Sequence, residues 1–317
     1  MSTIVQTPNA EAIAAWDGPL YDRFVQFRKI VTDGLGVHGE QALRLHPPRH
    51  GERVLDVGCG FGDTTQRLAA LVGPDGEAVG IDAARRFIDT ARQEAHEAGL
   101  ENARFEVADV QQAVPGGPYE MAFSRFGTMF FANPVIALRN IRQALAPGGR
   151  LVMVVWRHRI DNDWIYRAQT IVERIVTRPD EYDEPTCGPG PFSMADADTT
   201  TGILKTAGYT NIALHRCDEP ITIGKDISEA IEFLMALGPA GEVLRLQGDR
   251  AAHLHDQVRD ALTTGLTELN TPAGVMGHAS TWIITATNPL GSARAYVDAT
   301  RQFLDAYDRC RRSLVRL

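Results

Sequence analysis

The chain has 317 residues, which is enough for one large domain or for one domain with a sizeable insertion. Its composition, 44% hydrophobic and 23% charged, is that of an ordinary globular protein. The formal net charge of −8 argues against nucleic acid as the main partner, because phosphate binding requires a basic face.

The N-terminal and cysteine patterns exclude further classes. Residues 1–16 lack the basic segment and apolar core of a signal peptide, and no apolar run approaches the roughly 20 residues that span a bilayer. The four cysteines form no C-x-x-C pair, so the sequence indicates neither a zinc site nor a disulfide framework: Cys59, Cys187, Cys217 and Cys310. We therefore predict a cytoplasmic protein with reduced thiols, no metal and no membrane span.

The first half of the chain alternates predicted helices and strands. Residues 20–45 read as one helix, because apolar residues recur at helical spacing up to the break at His46-Pro47-Pro48. Strands are predicted at 53–57, 77–82, 103–108, 119–124 and 151–156. Helices follow the first, second and fourth strands, the last of them ending at Pro147-Gly148-Gly149. This alternation predicts a doubly wound, mostly parallel α/β sheet.

Beyond residue 156 the alternation stops. Residues 157–194 are rich in Pro, Asp and Gly and predict an insertion or cap. The remaining predicted elements are a helix from 195, a strand at 209–217, a mostly helical stretch at 226–268, a last strand at 282–286 and an amphipathic helix at 291–313. That final helix is expected either to serve a homodimer or to close the cap.

The stretch VLDVGCGFGD, Val54 to Asp63, carries the strongest chemical signal. Its three glycines allow the backbone to approach a ligand beyond the carboxyl end of a strand, and the following helix offers free N–H groups. A dinucleotide loop reads G-x-G-x-x-G, but the position of its third glycine is Asp63 here, and the strand also carries Asp56. Carboxylates suit a ligand with an ammonium group, such as S-adenosylmethionine (SAM). The plain alternative is a tight strand-to-helix turn without a ligand.

Several segments in order resemble the class I SAM-dependent methyltransferases, in particular their small-molecule group. VLDVGCGFGD is similar to the first motif of that family. The other similar segments are AAWDGPLYDRF (14–24), GIDAARRFIDTAR (80–92), FEVADVQQ (105–112), FSRFGTMFF (123–131) and LAPGGRLVMVVW (145–156). The resemblance covers roughly residues 14–160. It implies a Rossmann-like, seven-stranded sheet with an antiparallel terminal strand and an inserted, mostly helical cap, since strands 209–217 and 279–286 fit the family's terminal hairpin.

The same resemblance implies a set of SAM-binding residues. Asp82 maps onto the acidic residue that binds the ribose hydroxyls, and Asp109 onto the one that meets the adenine amine, with Val110 near the base. The full predicted cofactor set is Asp56, Gly58, Cys59, Gly60, Asp82, Ala83, Asp109, Val110, Ser124, Arg125 and Trp16. Alternatives remain open: Asp82 and Asp109 each also fit a helix cap, and Arg125 fits a salt bridge on the rim of the sheet.

The domain division follows from the motifs. We predict an N-terminal helical lid at 1–50, a SAM-binding core at 51–156, and a cap at 157–275 whose strand 209–217 returns to the sheet. The last strand and closing helix occupy 276–317.

The sequence indicates the residues that act on the methyl acceptor less specifically than those that bind the cofactor, because methyl transfer needs a general base only when the acceptor is protonated. His158, just past the fifth strand, is the best placed base by sequence, with a solvated basic loop as the alternative. The predicted acceptor-binding residues are Tyr21, Phe126, Met129, Trp156 and Trp164, which fit the hydrophobic core as well. Ser124-Arg125-Phe126-Gly127 stands where methyltransferases of nucleic-acid bases carry an N-P-P-Y-like segment, which argues against such a substrate.

We therefore predict a SAM-dependent methyltransferase that acts on an oxygen, nitrogen or carbon atom of a small molecule held under the cap. Three alternatives remain: an NAD-dependent oxidoreductase on a similar sheet, a non-catalytic SAM-binding partner protein, and a methyltransferase of proteins.

Overall fold

The computed structural model describes residues 9–176 and 190–290. Two of the cysteines, Cys187 and Cys310, and the predicted helix at 291–313 lie outside the described residues. Within those residues the chain forms one twisted sheet that carries helices, and a helical cap follows the fifth strand.

The sheet runs in the order β3–β2–β1–β4–β5–β8–β6, with a short strand β7 paired to β8. Strands β1 to β5 are parallel, whereas β8 is antiparallel to both β5 and β6. The strand bounds are β1 Arg53–Val57, β2 Glu77–Asp82, β3 Ala103–Val107, β4 Tyr119–Arg125, β5 Leu145–Trp156, β6 Thr210–Gly224, β7 Asn270–Thr271 and β8 Gly274–Thr287. The predicted doubly wound sheet with an antiparallel terminal strand is confirmed.

The α-helices fall into a lid, a set that covers the sheet, and a cap. The lid comprises α1 Ala10–Ala15, α2 Tyr21–Gln26 and α3 Gly36–Leu45. The sheet is covered by α4 Asp63–Val72, α5 Arg85–Glu97, α6 Pro134–Ala144 and α8 Ala197–Thr206. The cap contains α7 Asp163–Ile175, α9 Ile227–Leu237, α10 Pro239–Arg245 and α11 Ala251–Gly265, which pack on one another. None of the helices in the described residues is long and apolar enough to cross a bilayer.

The prediction of one continuous helix over 20–45 was wrong. Wide π-type turns at Trp16–Leu20 and Ile30–Gly34 separate the three lid helices. Gly18 leaves the helical region (φ −116°, ψ −113°) and Pro19 supplies no N–H donor. The apolar spacing is helical on both sides of each break, so periodicity alone did not reveal the breaks.

Strands β5, β6 and β8 are longer than predicted. Strand β5 begins at Leu145, and the Pro147-Gly148 break falls in a register shift between β4 and β5. Pro220 lies inside β6, where it is tolerated because β6 is the last strand in the sheet order. Proline and glycine residues therefore mark irregular strand pairing here, and the strands continue through these residues.

Candidate active site

The glycine loop between β1 and α4 is built from left-handed backbone. Gly58, Gly60 and Gly62 have φ values of 70°, 53° and 82°. A Cβ at Gly58 would lie 2.9 Å from the Cα of Gly127, and a Cβ at Gly62 would lie 2.6 Å from the ring of Phe105. Conformation disfavours side chains at all three positions, and lack of space also excludes them at Gly58 and Gly62, so the loop presents bare backbone at the carboxyl end of β1.

Asp82, at the end of β2, is joined to that loop. Its Oδ2 accepts a hydrogen bond from the Gly60 N–H (3.1 Å) and its Oδ1 accepts one from the Ala84 N–H (2.9 Å). Burial raises the pKa of this carboxyl, and the backbone hydrogen bonds oppose that rise. Ala83 forms the turn between Asp82 and α5. The carboxylate and the bare loop therefore form one surface.

Asp109 follows β3 and contacts the lid. Its Oδ1 accepts from the Gln111 N–H (2.9 Å), and its Oδ2 accepts from Asn9 Nδ2 (3.1 Å) and Gln112 Nε2 (3.0 Å). Val110 is buried beside it, and the Val110 carbonyl accepts from Asn140 Nδ2 (2.7 Å). The site at the end of β3 is thus partly formed by residue 9 of the chain.

Asp56 and Cys59 lie beneath the loop. Asp56 is buried and accepts from the Thr65 hydroxyl (2.6 Å), and its burial raises its pKa to about 7. Burial also raises the pKa of the Cys59 thiol. Asp56 therefore ties α4 to β1 and supports the loop from beneath.

Ser124 and Arg125, at the end of β4, contact protein atoms. The buried Ser124 hydroxyl donates to the Val57 carbonyl (2.7 Å) and links β4 to β1. Arg125 pairs with Asp63 (2.5 Å) and also donates to Thr64 Oγ1 and to the Val31 carbonyl of the lid. The alternative of a salt bridge on the sheet rim thus describes the observed contacts of Arg125, and a ligand contact by either residue stays a prediction.

The lid places aromatic rings over the loop side of the sheet. The Trp16 ring lies 4.8 Å from Phe130 and 6.5 Å from Phe87. Tyr21 packs edge-on against Phe87, 4.9 Å between centroids, and its hydroxyl bonds to Thr90 Oγ1 (2.7 Å). Trp16 thus borders the predicted cofactor site, whereas the Tyr21 hydroxyl is engaged by α5.

A row of aromatic rings in mutual contact runs from the ends of β4 and β5 into the cap. Phe126 stacks on Trp156 at 4.3 Å, Trp156 meets Trp164 at 6.1 Å, and Trp164 stacks on Phe233 at 5.8 Å. Met129 is buried against the same row, where its Sδ accepts from the Trp156 N–H (3.3 Å). Four of the five predicted acceptor residues are therefore contiguous; Tyr21 lies apart from this row.

The far end of the row reaches a cavity of about 310 Å³ between α2 and the cap helices. Phe27, whose ring lies 5.6 Å from Phe233, lines this cavity together with Met235 and Val258. Its polar lining includes His255 and Arg259.

His158 does not join this assembly. Its side chain is exposed at the turn that follows β5, and its carbonyl accepts from the Asn162 side chain (3.1 Å). His158 thus lies in a solvent-exposed loop, which is the alternative interpretation that the sequence allowed. His158 stays a prediction as a base.

His38 on α3 is a site residue that sequence reasoning missed. The ring is fully buried, lies 6.0 Å from Trp156 and 6.2 Å from Phe126, and has no partner at Nε2. Its Nδ1 lies 3.1 Å from the Thr281 hydroxyl, which itself donates to the Cys217 carbonyl. Nδ1 is therefore the ring nitrogen that the protein engages, through Thr281 and the Cys217 thiol (3.6 Å). Burial lowers the pKa of His38 to about 4, so the ring is neutral.

Two buried polar atoms without hydrogen-bond partners belong to residues that contact Trp156: His38 Nε2 and Trp164 Nε1. Buried polar groups are nearly always paired, so these two atoms are unusual positions beside the aromatic row.

The residues fit SAM better than a dinucleotide. The loop carries Asp82 against its glycines and Asp63 at its end, and no described residue of the loop adds a cation that would face a pyrophosphate. A buried, unpaired Asn9 Oδ1 next to Asp109 offers a further acceptor for an amine. In the part of the chain that the structure describes, no group of three or more His, Cys, Asp or Glu residues is placed to hold a metal ion.

Comparison with known proteins also finds methyltransferases. A family model described as a methyltransferase domain matches residues 48–196. Aklanonic acid methyltransferase DauC of Streptomyces sp. (strain C5) is 36% identical over 127 residues, which are 38% of this chain and 57% of that protein. The ubiquinone/menaquinone biosynthesis C-methyltransferase UbiE of Stutzerimonas stutzeri is 24% identical over 185 residues, 55% of this chain and 71% of that protein.

Among solved structures, the YcgJ protein of Bacillus subtilis superimposes with a TM-score of 0.51 at 17% identity. It covers 80% of this chain and 98% of its own. At that identity the likeness concerns the fold alone. The match spans little more than half of the DauC protein, so substrate and activity do not transfer from these relatives directly.

Proposed function

We propose that this chain is a class I SAM-dependent methyltransferase and that it transfers a methyl group from SAM to an oxygen, nitrogen or carbon atom of a small molecule. The observation that carries the proposal is the Asp82 carboxylate held by the backbone N–H of Gly60. It joins a bare glycine loop to a hydroxyl-binding acid at neighbouring strand ends, where open α/β sheets bind ligands.

In this proposal the cofactor residues divide by chemistry. Asp82 accepts from the ribose hydroxyls, Asp109 accepts from the adenine amine, and Gly58 and Gly60 allow the amino-acid end to lie against the backbone. Trp16 covers the site from the lid side. When bound, SAM supplies an electrophilic methyl group, so the protein has to align the acceptor and keep water out.

The aromatic row supports an acceptor with a flat apolar body and polar groups. Phe126, Trp156 and Trp164 supply aromatic surface, and His38 Nε2 and Trp164 Nε1 are polar atoms without protein partners. The names of the relatives, an aklanonic acid methyltransferase and a ubiquinone/menaquinone C-methyltransferase, support a small-molecule acceptor as well. Where the acceptor carries a proton, His38 and His158 are the two candidate bases.

We also propose that nucleic acid is not a partner, which the net charge of −8 supports, and that the protein is cytoplasmic, which the spacing of its cysteines supports. Assembly as a homodimer and the division into lid, core, cap and closing segment are also proposals.

Calorimetry with SAM, its demethylated product S-adenosylhomocysteine and NAD tests the cofactor assignment. We expect both SAM-type ligands to bind with micromolar-range Kd values and NAD not to bind. Asp82→Ala should weaken that binding at least about tenfold, or about 1.4 kcal/mol, because the ribose hydroxyls lose their acceptor. A thermal unfolding curve of Asp82→Ala is the check against a folding defect, because neither Ala nor Asn at this position can accept from both the Gly60 and the Ala84 N–H groups.

The matched control is Asp75→Ala, which removes a carboxylate from the exposed turn before β2. It should leave the Kd unchanged. Binding of NAD in place of SAM would favour the oxidoreductase alternative. Tight SAM binding that is insensitive to Asp82 would refute the assigned site.

A further inference from the structure

Asn9 is a buried lid residue whose amide is only half used. Its Nδ2 donates to Asp109 Oδ2 (3.1 Å) across 100 residues of chain, while its Oδ1 is buried without a partner. The orientation of the amide is fixed by chemistry, because an ionised carboxylate only accepts hydrogen bonds, so the NH₂ group has to face Asp109.

The Asn9 side chain does not serve the backbone around it. Asn9 immediately precedes α1, where an asparagine side chain ordinarily caps the helix, yet it makes no capping hydrogen bond. Its own carbonyl accepts from the Ile13 N–H (2.9 Å), so the residue is positioned by the start of α1. The amide is thus available for recognition at Asp109.

We propose that Asn9 is a second recognition residue for the exocyclic amine of adenine, and this inference rests on the proposed function. An amine carries two N–H donors. The Asp109 carboxylate takes one of them and the unpaired Asn9 Oδ1 takes the other. An exocyclic carbonyl at the same place would face carboxylate and amide oxygens with no proton between them, so the pair selects amine over carbonyl.

A second consequence is that adenine recognition and lid position are linked. Asn9 belongs to the lid and Asp109 to the sheet, so a ligand amine that bonds both holds the two together. Lid contact then depends on the base that is bound.

The test compares the Kd of S-adenosylhomocysteine with that of S-inosylhomocysteine, in which a carbonyl replaces the amine, on wild type and Asn9→Ala. We expect wild type to prefer the adenosyl ligand. Asn9→Ala should lose about tenfold affinity for it and little for the inosyl ligand, so that discrimination falls by the same factor.

Gln112→Ala is the matched control, because Gln112 Nε2 donates to the same Asp109 oxygen from an exposed side chain (3.0 Å). This variant should keep the discrimination. A purely structural role of Asn9 as a lid contact would weaken both ligands equally, and that result would overturn the inference while leaving the cofactor assignment intact. If wild type binds neither ligand, the proposed function itself fails.

Discussion

Three aspartates at or just beyond the ends of neighbouring strands have three different surroundings. Asp56 is enclosed and bonded to Thr65, Asp82 is bonded to the glycine loop, and Asp109 is bonded to the lid. Their sequence settings look alike, each an acid after an apolar run. The position of an aspartate at a strand end therefore identifies it as a candidate site residue. The hydrogen-bond partners then distinguish Asp56, which supports the loop, from Asp82 and Asp109, which we predict to bind the ligand.

The loop glycines give a prediction about stability. Gly58→Ala should destabilise the fold, because it combines a left-handed φ of 70° with a Cβ 2.9 Å from Gly127. Gly51→Ala is the control: its φ is 79°, but a Cβ there meets nothing within 4 Å.

We expect Gly51→Ala to cost about 1 kcal/mol in the free energy of unfolding and Gly58→Ala about 1–3 kcal/mol more, measured by urea denaturation. Equal costs would show that the contact with Gly127 carries no energy.

The residues that could be predicted from sequence are those defined by local pattern. The glycine loop, Asp82 and Asp109 were found because each stands within a short motif next to a strand. His38 was missed because its partners, Cys217 and Thr281, are 179 and 243 residues away. Only the folded sheet brings these residues together, and no spacing in the sequence signals it.

The lid is held to α5 by a small number of polar contacts. Arg28 makes a bidentate pair with Glu94 (2.5 and 2.6 Å), and its guanidinium also lies 4.3 Å from the centroid of the Phe61 ring. The Tyr21 hydroxyl bonds to Thr90 nearby. The breaks at Trp16–Leu20 and Ile30–Gly34 divide the lid into short pieces, and both contacts hold the middle piece, which contains α2, to α5.

We therefore expect Arg28→Met to loosen the lid without unfolding the sheet. Amide exchange over residues 10–26 should rise up to about fivefold, because a half-exposed pair contributes at most about 1 kcal/mol. Arg67→Met is the control, since it removes a similar pair with Glu40 on the other side of the lid, between α3 and α4. Unchanged exchange over 10–26 in Arg28→Met would contradict this role of the pair.

The short parallel strands were predicted well, whereas the single helix over 20–45 and the long strands of the terminal hairpin were not. Strands β1 and β2 match their predicted bounds, whereas β6 continues through Pro220 to Gly224. The extension depends on pairing with β8, which is a property of the hairpin. A single strand read from sequence does not contain that information.

Two buried titratable groups act on the stability of the whole molecule in opposite directions. The pKa of Asp56 is about 7 in the fold, above its ordinary value of 3.8, so between these values the folded protein holds a proton that the unfolded chain has lost. Stability from Asp56 therefore falls as pH rises from 4 to 7. The pKa of His38 is about 4, below its ordinary 6.5, so here the unfolded chain holds the extra proton. Stability from His38 rises from pH 4 to 6.5.

A variant that removes one of these two groups should reveal the pH dependence of stability that the other contributes. Relative to wild type, Asp56→Asn should gain stability as pH rises from 4 to 7, by roughly 4 kcal/mol, and His38→Gln should lose roughly 3 kcal/mol from pH 4 to 6.5. The measurement is urea unfolding at pH 4.5, 5.5, 6.5 and 7.5, values chosen at about one-unit steps across both windows. His255→Gln, at an exposed histidine, is the control and should follow wild type. Differences in the free energy of unfolding between variant and wild type that do not change with pH would refute the assignment of these pKa shifts to Asp56 and His38.

The position of β8 between β5 and β6 has a consequence for synthesis on the ribosome. Strand β6 is made before β8, yet in the described residues it pairs with β8 and not with β5. Until residues 274–287 emerge, the apolar strand β5 presents an open edge, and His38 lacks its contact with Thr281. The nascent chain therefore exposes this strand edge until β8 has emerged, and the contact of His38 on α3 with β8 forms only then.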